Sequence, residues 1–316
     1  MRTVYLNGHF VPESEAKVSI FDEGSMYGST VFEMLRSYNQ QHFKVQEHLD
    51  RLYWGLRVLR IPEPMPKEDL ADLCDEVTLK NCAEFSADDE FRLMINVSRG
   101  PLGIYRGACP QDSPTLCISC FPLKWTVAGM GALYDEGLNA VVVNQRHTDC
   151  LPNVKHRSRI PFILANHQAG QTAGLRNWAL LLDQEGYVAE GTGANIFMVL
   201  NDQIYTPDPN HCLKGISRDH VLGLAHELDI YADVGRYNYY ELIHSDEAFF
   251  TGTPFGALPI TSIDGIPLGD GQPGPIYKKI MAAWDKEVRV NHRDQIQAWD
   301  AQRIEPVGSS PYVSKN

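Results

Sequence analysis

The stretch that most limits what this chain can fold into runs from Asn153 to Asn195, NVKHRSRIPFILANHQAGQTAGLRNWALLLDQEGYVAEGTGAN. It opens with a lysine and closes with a glutamate in a turn of small residues. Lys155 follows a polar, proline-containing loop and stands just ahead of the apolar run Ile160 to Ala165, which reads as a helix. Trp178 to Leu182 is strand-like, Asp183 to Gly186 is a four-residue turn, and Gly186 to Glu190 starts the way back. Gly191, Thr192, Gly193 and Ala194 follow Glu190 and are small enough for a flat ring to lie against the backbone.

A lysine and a carboxylate brought together by a helix and a hairpin suit pyridoxal 5'-phosphate. That cofactor needs an amine for covalent attachment and an acid beside its pyridine nitrogen. An exposed lysine and a solvated turn glutamate are the ordinary reading of the same residues, because Lys and Glu are mostly exposed. Lys155, the run LLLDQEGYVAEGTGANIF and the later LKGISRDHVLGLA together resemble the class IV aminotransferases. These are fold-type IV pyridoxal-phosphate enzymes that include branched-chain aminotransferases, D-amino-acid aminotransferases and aminodeoxychorismate lyase. The resemblance spans roughly residues 3 to 285, in several motifs in the family's order. It implies that Lys155 is the Schiff-base lysine and the catalytic residue. Glu190 becomes the partner of the pyridine nitrogen, with Asn195 and Arg159 among the cofactor-binding residues.

The rest of the chain adds to that constellation. Thr3 to Val11 reads as a hairpin turning at Asn7 and Gly8. Asp22 to Arg36, DEGSMYGSTVFEMLR, leads from a glycine-punctuated loop into a strand; by the resemblance Tyr27, Phe32 and Arg36 match pocket positions, although Phe32 alone reads equally well as core. Gln46 to Ile61 sets Leu49, Leu52, Tyr53, Leu56 and Leu59 at helical spacing. Arg51 interrupts that stripe. A snorkelling or surface-paired arginine is the bland reading, whereas EHLDRL resembles the family segment whose arginine clamps the cofactor phosphate, a task suited to a bidentate guanidinium. A second amphipathic helix is expected over Lys67 to Cys82, and strands over Glu90 to Arg99 and Ser113 to Phe121. Arg92 matches a family strand position beside the substrate carboxylate, and Tyr105 and Arg106 lie in a glycine- and proline-rich loop that the family extends toward the partner subunit's active site.

Leu138 to Asn144 is a continuous apolar strand, and Asn195 to Thr206 a hairpin around Asn201 and Asp202. Ser217 reads as the N-cap of a helix carrying Val221, Leu222, Leu224, Ala225 and Leu228. The resemblance makes the Ile216 amide and Ser217 phosphate ligands, as free amides at a helix N-terminus allow. Glu247 to Ile260 is a strand entering a turn, where Thr253 is implied as a contact to both phosphate and substrate. Tyr277 to Val288 reads as a helix, and Asn291 to Asn316 as a peripheral polar tail.

Length and charge bound the remaining possibilities. With 316 residues, 43% of them hydrophobic, the chain can build two domains with real cores. A net charge of −12 argues against nucleic acid or an anionic membrane as partner. The N-terminus lacks a signal-like apolar core, so the expected compartment is the cytoplasm. The seven cysteines are scattered; only Cys117 and Cys120 are close, and buried free thiols fit them better than a metal or redox site. No metal is expected. The fold class implied is α/β (α+β), with a small domain over 1–121, a linker over 122–130, a large cofactor-binding domain over 131–290 and the tail over 291–316. The resemblance places the cofactor between the two domains and implies a homodimer.

The leading expectation is an aminotransferase moving an amino group from a branched-chain-like L-amino acid to a 2-oxo acid such as 2-oxoglutarate, by ping-pong kinetics. Departures from the family pattern bear on the substrate. Lys155 is followed by His156, Arg157, Ser158 and Arg159, where branched-chain enzymes carry K-x-x-N-Y. Pro254 follows Thr253 and has no backbone N–H for a substrate carboxylate. The carboxylate would then fall to Arg92 or Arg106. Alternatives are aminodeoxychorismate lyase, favoured by His156 and Arg159, a D-amino-acid or amine transaminase, and a pyridoxal-phosphate-binding regulatory protein without turnover.

Overall fold

Asn7 and Gly8 adopt φ of 48° and 92°, the left-handed pair that a tight hairpin needs, and so join β1 (Thr3–Leu6) to β2 (His9–Pro12). This computed structural model describes residues 1–105, 113–147, 152–174 and 176–302. Arg106, Cys109 and Cys150 lie outside the described residues. Two compact units are present. The first is Met1–Trp125 with Val154–Arg159, and the second is Thr126–Asn153 with Ile160–Asn316.

In the first unit the hairpin is followed by α1 (Glu23–Tyr27), β3 (Thr30–Tyr38), β4 (Gln41–His42), α2 (Val45–Val58), α3 (Lys67–Cys82), β5 (Phe91–Ser98) and β6 (Thr115–Pro122). The strands form an antiparallel sheet in the order β2-β1-β6-β5-β3-β4. α2 and α3 cover one face. Leu49, Leu52 and Leu56 of α2 and Leu70, Cys74 and Val77 of α3 are fully buried against Leu35, Leu93 and Ile95. Each such side chain contributes about 1.5–3 kcal/mol relative to exposure, so the helical spacing legible in the sequence is what holds this layer on the sheet.

The segment Val154–Arg159 belongs to this unit, whereas the sequence reading assigns it to the larger domain. It runs antiparallel to β3: the Phe32 N–H donates to the Lys155 carbonyl at 2.9 Å and the Arg157 N–H to the Thr30 carbonyl at 2.9 Å. Val154 is buried in the core. Gly28 (φ 70°) makes the approach possible, because a Cβ there would lie 2.7 Å from Ser158 Oγ.

The chain continues through α4 (Lys124–Val127) and α5 (Leu133–Glu136). The second unit then holds β7 (Leu138–Arg146), α6 (Ile160–Gln171), β8 (Asn177–Leu182), β9 (Val188–Gly191), β10 (Asn195–Leu200), β11 (Gln203–Pro207), α7 (Ile216–Glu227), β12 (Ala232–Gly235), α8 (Tyr239–Ile243), β13 (Glu247–Gly252), β14 (Gly256–Ile263), β15 (Ile266–Pro267), α9 (Pro275–Val288) and α10 (His292–Asp300). Its mixed sheet runs β12-β11-β10-β13-β14-β7-β8-β9, with β15 beside β14. β9 also pairs with β10 through Glu190 and Asn195, so six of the strands close into a ring.

α10 corrects one expectation. The first part of the supposed peripheral tail is a helix, N-capped by Asn291, that buries His292, Ile296 and Trp299; Asp300 accepts from the Gly131 N–H at 2.9 Å. Apolar positions three residues apart (Ile296 and Trp299) were the signal, diluted by the charged residues around them. No helix among the described residues is long and apolar enough to cross a membrane. Cys117 and Cys120 lie on one strand three positions apart and so point to opposite faces, and Cys120 is a buried thiol whose pKa burial pushes up to about 12.

Candidate active site

In the second unit the site is built from strands that meet at Glu190. The Glu190 side chain is buried, with a relative exposure of 7%. Its Oε1 lies 3.0 Å from His147 Nε2, just beyond the end of β7. Its Oε2 accepts from Asn195 Nδ2 at 3.1 Å and from the Leu213 N–H at 3.0 Å. Asn195 Nδ2 also donates to the Leu213 carbonyl at 2.7 Å. A buried carboxylate with this many fixed partners is held in one orientation. The solvated turn glutamate is excluded by that geometry.

The row continues across the sheet. Asn195 faces Glu190 on one side and Thr251 of β13 on the other. Thr251 is 1% exposed, and its Oγ1 has no hydrogen-bond partner among the described residues. Asn195 Oδ1 fills the space beside Gly215; a Cβ on Gly215 would lie 1.9 Å from it. Gly215 is the N-cap of α7, with φ −75° and ψ 136°, and no side chain caps the helix. The Ser217 cap expected from the sequence is therefore not formed: Ile216 is the first helical residue and Ser217, buried, the second. Thr253 sits in the turn after β13, partly buried. An uncapped helix N-terminus beside a buried polar row fits an anionic, ring-bearing ligand, because the amides and the helix dipole favour a phosphate.

In the first unit Lys155 Nζ lies 4.8 Å from the centroid of the Phe32 ring. Arg157 stacks on the same ring at 3.7 Å. Arg51 does not snorkel to solvent. Its Nε and Nη2 donate to the two oxygens of Glu33 at 2.6 and 2.8 Å, and His48 Nδ1 lies 2.7 Å from the same carboxylate. Burial pushes the Glu33 carboxyl up, but the charge and hydrogen bonds of Arg51 and His48 outweigh it and hold it well below the usual carboxylate range. Burial lowers the His48 pKa against the opposing pull of Glu33.

The remaining expected residues divide. Arg92 and Arg36 are buried directly opposite each other on β5 and β3; Arg36 lies over the Tyr38 ring at 3.8 Å. Tyr27 is two-thirds exposed at the end of α1, and Tyr105 stacks on Phe21 at 4.8 Å. Arg159 is partly buried and acts on Arg157 as a neighbouring positive charge. Arg106 lies outside the described residues. Sequence reasoning missed His147 and Glu33. His147 had no local signal beyond ending an apolar strand, while Glu33, a lone acid within the strand EMLRSY, was visible as an oddity.

Comparison with known proteins gives the family. The family described as Amino-transferase class IV matches residues 30–263. A protein of Methanocaldococcus jannaschii provisionally named a branched-chain-amino-acid aminotransferase is 37% identical over 290 residues, covering 90% of this chain and 96% of its own. The crystal structure of the Escherichia coli branched-chain amino acid aminotransferase superposes with a TM-score of 0.82 at 26% identity, over 90% of this chain and 94% of that one. The branched-chain aminotransferase of Thermoproteus uzoniensis, solved with norvaline, gives 0.78 at 28% identity, over 94% of this chain and 97% of that one. A further branched-chain aminotransferase, complexed with N-(5'-phosphopyridoxyl)-L-glutamate, gives 0.77 at 27% identity over 96% of each. The chain belongs to the class IV aminotransferases and shares their fold type IV. It is a transaminase, of a class that works with pyridoxal phosphate.

Proposed function

We propose that this enzyme binds pyridoxal phosphate through Lys155 and Glu190 and transfers the amino group of a branched-chain L-amino acid to a 2-oxo acid such as 2-oxoglutarate. The observation that carries the reading is the Glu190 cluster: a buried carboxylate fixed by His147, Asn195 and Leu213, beside the uncapped start of α7. The choice of donor is supported by the names of the similar proteins. When bound, the cofactor supplies an electron-withdrawing ring that takes up the electrons left as the substrate's α C–H bond breaks.

The residues divide the remaining work. Glu190 holds the proton at the pyridine nitrogen, and its three partners keep it from turning away. The Ile216 and Ser217 amides, with Thr253, hold the phosphate. Lys155 Nζ takes the α-proton as general base and returns it later. The Phe32 ring, 4.8 Å from Nζ, helps to keep Nζ in a partly desolvated place. α6 exposes Ile160, Ile163 and Leu164 at helical spacing, at 70%, 51% and 51%, which supports a second copy of the chain covering them. The five described cysteines are free thiols, in keeping with a reducing cytoplasm.

The test is an absorbance spectrum of the purified protein before and after addition of L-amino acids, D-amino acids and simple amines. A visible band is expected that Lys155→Ala lacks and that branched-chain L-amino acids bleach. A colourless protein that takes up no added pyridoxal phosphate overturns the reading. Bleaching by D-amino acids or amines alone would move the substrate class.

A further inference from the structure

Arg157 is used by none of the roles above, and its surroundings are unusual for an arginine. It is half-buried, two residues beyond Lys155, with its guanidinium stacked 3.7 Å from the centroid of the Phe32 ring. Nε donates to Asn96 Oδ1 at 2.9 Å and Nη2 points at Met94 Sδ. These contacts fix the plane of the group without neutralising it. Among the described residues no carboxylate pairs with Arg157. Burial first, and the positive charge of Arg159 second, lower its pKa to about 10.

The face of β3 and β5 that Arg157 meets offers no acid to compensate. β3 and β5 set Phe32, Met34 and Arg36 opposite Asn96, Met94 and Arg92 on this face, and none of the six is acidic. A guanidinium carries five N–H donors, and the contacts to Asn96 and Met94 occupy only part of that fork. Fully buried arginines are almost always paired, since a desolvated cation without a partner is costly, and the half-buried Arg157 bears part of that cost. Among the described residues no carboxylate is that partner, so the cation is available to an anion that a ligand brings.

We propose that Arg157 receives the carboxylate of the substrate and thereby makes the enzyme select amino acids and 2-oxo acids over simple amines. This rests on the reading of Lys155 as the catalytic amine. Lys155 and Arg157 address one aromatic ring, so a carboxylate seated on the guanidinium brings its α-carbon, one bond away, toward Nζ. The guanidinium's planar fork matches a carboxylate bidentately. The cofactor's phosphate is the other anion that could use this cation, and the test separates the two.

Arg157→Met and Arg157→Lys are made in the full-length holoenzyme. Three quantities are read: the visible band as a measure of retained cofactor, calorimetric binding of 4-methylvalerate (a branched carboxylate with no amino group), and the half-reactions with L-leucine and with 3-methylbutylamine. Arg157→Met should keep the band and bind 4-methylvalerate about 10- to 100-fold more weakly, the range expected for a charge-assisted pair. Its leucine-to-amine ratio of kcat/KM should fall by a similar factor, through KM, and Arg157→Lys should recover part of both. Unchanged 4-methylvalerate binding with the band retained overturns the proposal. Loss of the band in both variants, restored by excess pyridoxal phosphate with normal carboxylate binding, also overturns it and gives Arg157 to the phosphate. Should Arg157→Met fail to fold, Arg157→Lys and Asn96→Ala carry the same comparison, the latter freeing the guanidinium while keeping its charge. Failure of the underlying reading looks different: the wild-type protein is then colourless or unbleached by every donor.

Discussion

Glu33 is fully buried on β3 and holds Arg51 with both oxygens while His48 approaches from the side. Removing one partner of such a group leaves charge stranded in the core. Glu33→Gln is therefore expected to cost about 3–5 kcal/mol in denaturant unfolding. The pH dependence follows from two lowered pKa values. His48, lowered from 6.5, binds its proton less readily folded than unfolded, so its contribution is complete above pH 6.5 and declines as pH falls below it. Glu33, lowered from 4.5, contributes fully above pH 4.5 and loses that contribution on further acidification. Unfolding free energies at pH 8, 6 and 5 should fall in that order, and His48→Gln should flatten the slope between pH 6.5 and 5. The presence of an arginine at position 51 was legible, because it breaks an apolar stripe. Its partner was not, since Glu33 lies eighteen residues away on another element.

At the scale of the element, α7 separates what a local signal can and cannot decide. Ser217 carries the composition of an N-cap, yet the helix begins at Ile216 because Asn195 occupies the space over Gly215 and the backbone there is extended. Proline is tolerated at the first helical position and compatible with an extended residue before it. Ile216→Pro should leave the helix and thermal stability nearly unchanged while deleting the N–H proposed to face the phosphate. Cofactor affinity, measured by titrating the apoprotein and following absorbance, should fall about tenfold, the value of one hydrogen bond to a charged group. An unchanged affinity would remove the Ile216 amide from the phosphate site. The β8–β9 hairpin was readable from its turn, but the hydrogen bonds of Glu190 to His147 and Leu213 join residues 43 and 23 positions apart.

At the scale of the molecule, the row Ile160, Ile163 and Leu164 on α6 is the surface where a second copy is expected. Ile163→Asp places a charge in that patch without touching the buried face formed by Ala165 and Ala169. Sedimentation should then show a shift from dimer toward monomer with the fold intact; a dimer of unaltered stability would exclude this face. By itself the sequence determined the kind and order of most elements and the family, and it singled out Lys155 and Glu190 as candidates, because apolar period, turn residues and motif spacing are all properties of neighbours along the chain. Only the tertiary structure decided that residues 154–159 lie along β3 in the first unit, that Arg51 grips Glu33, that Trp299 is core and that Arg157 stacks on the Phe32 ring with no carboxylate partner among the described residues. Each of these depends on a contact between segments distant in sequence, where burial and charge are set by whichever side chain the fold brings opposite.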